Sequence, residues 1–183
     1  MLVVVAGAQA RQELRQEIQR RYDTIAKVAV ADPQQMINEA ARFLTSDFQW
    51  VETAGSEYNR EFYIGIQTKL AGQISKVFAA KNEIVSYRES GIYVICRVKS
   101  SQLYRRKGFS SDRHSAVSVT DDTWVKTIHG WKMYRSVGIR DSDTIVRRGV
   151  SSQSAAVMTA RMTSAGVVHP AAALAFPSSS IVR

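Results

Sequence analysis

The side chains of this sequence best able to move a proton are carboxylates and phenols, not thiols or metal-bound waters. Glu52 stands three residues before Gly55, Asp122 follows Asp121 ahead of Trp124, and Tyr22 lies within a run of helical periodicity. His114, His129 and His169 are far apart and lack the His-x-x-His and His-Glu-x-x-His spacings, so no metal site is expected. The single cysteine, Cys96, excludes a disulfide framework and a multi-cysteine zinc site, and its parity within a strand reads as inert core. There is no Gly-x-Gly phosphate loop and no Gly-x-Ser-x-Gly elbow. The leading enzymatic form is carboxylate-based acid–base chemistry without metal or cofactor. Each group also has a plain reading. Tyr22 can pack in the core, Asp122 can cap a turn, Glu52 can end a strand in solvent, and His114 can be structural.

The elements that must position these groups are legible in the periodicity. Leu14, Ile18, Tyr22, Ile25 and Ala29 recur three and four apart, one face of an amphipathic helix. Asp32-Pro33 restarts the chain with an N-cap residue, a proline suited to the first helical position, and Gln35 at the capping-box position. Met36, Ile37, Ala40, Ala41, Phe43 and Leu44 form the buried side of that second helix. Phe48-Gln49-Trp50-Val51 favours a strand, which Gly55 ends. Asn59 caps a third helix with Phe62, Ile66 and Leu70 four apart, closed near Gly72. The period then changes to two. Residues 74–88 form one strand, and Val94, Cys96 and Val98 face one way along the next. His114, Ala116, Ser118, Thr120, Asp122 and Trp124 share a face of a long strand, opposite Val117, Val119 and Val125. His129-Gly130 is a hairpin turn before Trp131, Met133 and Val137. The order α-α-β-α-β-β-β-β predicts an α+β domain whose antiparallel sheet is covered by helices.

The 183 residues carry 25 Lys and Arg against 16 Asp and Glu, a formal charge of +9. No apolar run is long enough to span a membrane as a helix. Residues 1–10 read either as an apolar lead into the first helix or as the stub of an export signal ending Ala8-Gln9-Ala10. The first reading implies a cytoplasmic protein and the second an exported one. The folded domain is expected over residues 11–143. Residues 144–183 hold no acid, are rich in Ala and Ser, and are expected to be a disordered tail.

Ile18-Gln19-Arg20-Arg21-Tyr22, Leu44-Thr45-Ser46-Asp47-Phe48-Gln49-Trp50, Gly55 before the Asn59 helix, Asp122-Thr123-Trp124-Val125 and Gly130-Trp131 together resemble the nuclear transport factor 2-like superfamily, in its SnoaL-like branch. The resemblance covers about residues 11–140. It implies a cone-shaped, cystatin-like sheet wrapped around a long helix, with a pocket for a small hydrophobic molecule, and often a homodimer through the sheet. Members include isomerases, cyclases, dehydratases and pure binding modules, so fold alone does not settle function. Within the superfamily, similarity to the ketosteroid isomerases implies Glu52 as general base, with Tyr22 and a protonated Asp122 as donors to an enolate. Trp50 and Trp124 would supply apolar walls. His114 shares strand parity with Asp122 and would face the substrate. The basic run Arg97, Lys99, Arg105, Arg106, Lys107 and Arg113, against the single acid Asp112, is read as a solvated edge that deters strand-to-strand association, and nucleic acid is not an expected partner.

Overall fold

The computed structural model describes residues 2–108 and 112–146. Three helices, α1 (Leu2–Ala31), α2 (Pro33–Arg42) and α3 (Arg60–Gly72), accompany six strands: β1 (Leu44–Val51), β2 (Glu57–Asn59), β3 (Ile74–Ser90), β4 (Tyr93–Arg106), β5 (Arg113–Thr127) and β6 (Gly130–Val146). The capping signals do what their chemistry requires. The Asp32 carboxylate accepts hydrogen bonds from the amides of Gln34 and Gln35, and the Asn59 side chain accepts from that of Phe62. Helix α1 runs without a break through residues 2–31. Strand β6 continues to Val146, which pairs with Arg113, so sheet residues extend past Asp143. The rest of the expected tail, residues 147–183 with His169, lies outside the described residues.

The strands lie in the order β2-β1-β6-β5-β4-β3. The sheet is mixed, which corrects the expectation of a wholly antiparallel one: β1 runs parallel to β6, with Trp50 opposite Ser136 and Val51 opposite Val137. No hairpin links those two strands, so no local turn sets their relative direction. The short strand β2 is also an addition to the expected order. It pairs antiparallel with β1 and places Tyr58 opposite Trp50.

Register shifts interrupt the ladder between β3 and β4 at three places and between β5 and β6 at two, and each extra residue bends the sheet. The curved sheet closes on α1, whose buried stripe is Ile18, Tyr22, Ile25 and Ala29. Gln19 secures this contact as a surrogate strand. Its amide donates to the Asn82 carbonyl at 2.7 Å and accepts from the Ile84 amide at 3.0 Å, so the outer edge of β3 is partly capped by the helix. On β5 the period-two reading holds residue for residue: His114, Ala116, Ser118, Thr120, Asp122 and Trp124 are all buried on the concave face. On α3 the spacing-of-four reading is off by one position. Tyr63, Gln67 and Ala71 face the core, whereas Phe62 is 45% exposed.

Candidate functional site

The structure divides the expected site residues among three places. The first is a closed node at the centre of the sheet. Asp122 stands mid-strand on β5, between Cys96 of β4 and Ser136 of β6, and is fully buried. Three hydroxyls donate to its carboxylate: Tyr22 at 2.5 Å, Ser136 at 2.5 Å and Thr120 at 2.8 Å. The Trp124 indole donates to the Tyr22 oxygen at 3.1 Å, and the two rings meet edge to face at 5.5 Å. Burial pushes Asp122 up to about 6, against the downward pull of its Ser136, Tyr22 and Thr120 bonds. Burial, aided by the Asp122 charge, also holds the Tyr22 hydroxyl well above its ordinary range. Tyr22 and Asp122 are thus brought together, but each satisfies the other, and neither side chain is exposed. Burial likewise pushes the Cys96 thiol up to about 12, which keeps it a neutral core residue.

The second place is a nest at the end of β1, against β2 and α3. Glu52 follows the last residue of β1, and its spacing from Gly55 has a structural cause. The Gly55 amide donates to the Glu52 carbonyl across a tight turn, and Gly55 takes the positive φ of 92° that the turn needs. Gly138 of β6 lets this turn approach closely: a Cβ built there would lie 3.0 Å from the Thr53 nitrogen. The Glu52 side chain is buried, not solvent-facing, and its Oε1 accepts a long bond of 3.4 Å from Tyr58. Trp50 lies against Tyr58 at 5.2 Å and against Tyr63 at 5.6 Å, and Phe48 meets Tyr63 at 5.2 Å. One turn further along α3, Gln67 is fully buried. Four buried polar atoms on β1, the turn after it and α3 have no protein hydrogen-bond partner: Trp50 Nε1, Glu52 Oε2, and both Nε2 and Oε1 of Gln67. Unmade bonds of this kind cost about 1–3 kcal/mol each. Tyr63 connects the two places; burial raises its hydroxyl well above the ordinary range, and the Asp122 charge adds to the effect.

The third place holds His114. It shares the concave face with Asp122, but eight strand residues separate them, roughly 26 Å along β5. There His114 Nδ1 lies 3.2 Å from Asp143 Oδ2, its ring stacks on Tyr104 at 5.2 Å, and Arg106 reaches Asp143 at 3.5 Å. His114 is therefore not beside Trp50, Trp124 or Glu52.

Tyr58, Tyr63 and Gln67 are site residues that the sequence reading missed. Their signal was the spacing Tyr63, Gln67, Ala71, which competes with Phe62, Ile66, Leu70 and is less apolar. Among the described residues no group of three or more His, Cys, Asp or Glu side chains could hold a metal ion.

The curved, unclosed α+β sheet packed around a helix is the nuclear transport factor 2-like fold, and the chain has that fold. Solved structures similar to it include a scytalone dehydratase candidate from Novosphingobium aromaticivorans, at TM-score 0.60 and 14% identity over 78% of this chain and 99% of that one. LinA matches at TM-score 0.57 and 14% identity over 76% of this chain and 93% of that one. A protein from Kribbella flavida matches at TM-score 0.52 and 15% identity, covering 74% and 95% respectively. No family model and no curated protein matches the chain by sequence.

Proposed function

We propose that this protein binds a small, mostly apolar organic molecule bearing a carbonyl or hydroxyl group in the nest between β1, β2 and α3. The observation that carries the reading is the set of four buried, unpartnered polar atoms on Trp50, Glu52 and Gln67. Two are donors or carry donors and two are acceptors, so a guest that both accepts and donates would relieve all of them. The aromatic walls Phe48, Trp50, Tyr58 and Tyr63 suit a flat, apolar body. In the catalytic form of the reading, Glu52 takes a proton next to the carbonyl and returns it elsewhere on the same molecule, without cofactor. Tyr22 and Asp122 then act behind the guest, and a carbonyl oxygen would have to draw Tyr22 away from Asp122. The similarity of fold to a scytalone dehydratase candidate and to LinA is compatible with a small-molecule guest.

A second reading, a binding or dimerisation module without turnover, is favoured by one observation: the Tyr22–Asp122 bond is already made in a node with no exposed atom to spare. In either form a homodimer through the sheet is proposed. The test is a thermal-shift screen with steroids, aromatic polyketides and epoxides, followed by a search for turnover of whatever binds. The catalytic form predicts that Glu52→Gln lowers turnover by about 100-fold or more. Binding without turnover by wild type selects the module, and stabilisation by none of the three classes would contradict both.

A further inference from the structure

The basic run that looked uniform in sequence is not uniform in the fold. Arg97 is held by Asp121 through two bonds of 2.8 Å, and Arg106 lies 3.5 Å from Asp143. Arg105 and Arg113 instead converge with Lys76 on one ring. Their charged groups stand 5.3, 4.3 and 5.5 Å from the centroid of Phe78, respectively. The pairing puts Lys76 opposite Arg105, and Tyr104 opposite His114, so Arg105 and Arg113 adjoin on neighbouring strands. Tyr104 and His114 are buried on the concave side, so strand alternation turns Arg105 and Arg113 to the outer face, and Phe78, the extra residue at a register shift of β3, meets both of them there. None of the ion pairs among the described residues reaches Lys76, Arg105 or Arg113. In addition, Arg105 Nε is a buried donor with no acceptor.

A ring attracts each cation by about 0.5–1 kcal/mol at an exposed site, but it does not cancel their mutual repulsion. Three like charges around one half-buried ring, with a guanidinium N–H lacking an acceptor, are completed by an oxyanion. Its negative charge separates the cations, and its oxygens accept from the planar forks of the two arginines. We propose that Lys76, Phe78, Arg105 and Arg113 form an oxyanion site on the outer corner of the sheet, which takes a single phosphate or sulfate group of a small molecule. The three cations converge on one ring, a patch the size of one such group, and the neighbouring Arg97 and Arg106 already have acidic partners. The site lies on the opposite face of the sheet from the β1–α3 nest and does not rest on that reading.

Isothermal titration of the full chain with inorganic phosphate and inorganic sulfate, at an ionic strength held constant with chloride, tests the site. Saturable binding of either anion in the millimolar range is expected, weakened about tenfold or more by Arg105→Gln with Arg113→Gln. Arg97→Gln should leave it unchanged, and Phe78→Leu should weaken it while keeping the melting temperature near that of wild type. No saturable binding of either anion, or binding that the double variant retains, overturns the proposal. A thymidine oligonucleotide that binds about 100-fold tighter than phosphate, with a steep loss of affinity in salt, would also overturn it in favour of a nucleic-acid backbone.

Discussion

The Tyr22–Asp122–Trp124 node and the Trp50–Glu52–Gln67 nest are both buried, both polar, and linked through Tyr63, yet they are opposite in character. In the node every carboxylate oxygen has a donor, and the bonds tie α1 to β5 and β6. In the nest four polar atoms have nothing. A satisfied buried network rigidifies and specifies a fold, whereas one without protein partners costs stability that a bound guest or an ordered water can return. The residues expected from sequence to act together thus divide between a satisfied network that ties α1 to the sheet and a group of buried polar atoms with no protein partner.

Substitutions can break that contrast. The largest effect is expected at Asp122→Ala, which strands three buried hydroxyls and should cost about 3–5 kcal/mol, read as a lowered denaturation midpoint. Next is Gly138→Ala. The added methyl meets the Thr53 backbone at about 3.0 Å, so the Glu52 turn must shift, and guest affinity should fall more than stability does. The node should also show itself in pH dependence. The ordinary Asp value is 3.8 and burial moves Asp122 to about 6, so the folded state holds this proton more tightly than the unfolded chain. That contribution to stability is complete below about pH 4 and is lost as pH rises through 6. Melting curves should therefore show wild type losing ground to Asp122→Asn between pH 4 and 7; a constant gap would contradict the shift. The smallest effect is Glu52→Gln, expected to leave unfolding within about 0.5 kcal/mol of wild type, because its Oε2 makes no bond to lose.

What was legible in the sequence follows the strength of local signals. The α1 stripe, the Asp32 and Asn59 caps and the alternation along β5 are encoded within a few residues, and the structure reproduces them. The parallel pairing of β1 with β6 was not, because the partners are some eighty residues apart and no turn joins them. Tyr22 and Asp122 were placed together on resemblance, and they do meet. Their mutual bond could not be foreseen, since it depends on how deeply α1 sinks into the sheet. His114 was right in face and wrong in neighbourhood, because parity fixes the side of a strand but not the distance along it. Gln67 was missed because a buried glutamine without a partner breaks the apolar rule used to find the buried face of α3.

That glutamine also gives the most direct test. Gln67→Leu keeps the volume and removes two buried, unpartnered polar atoms, and its melting temperature should be measured with and without a ligand that stabilises wild type. If the nest binds a guest and its polar atoms are kept unpartnered at a cost, the variant melts a few degrees higher when empty and loses the ligand-induced shift. If it melts lower and responds to the ligand as wild type does, Gln67 is ordinary packing and the nest is not where the guest binds.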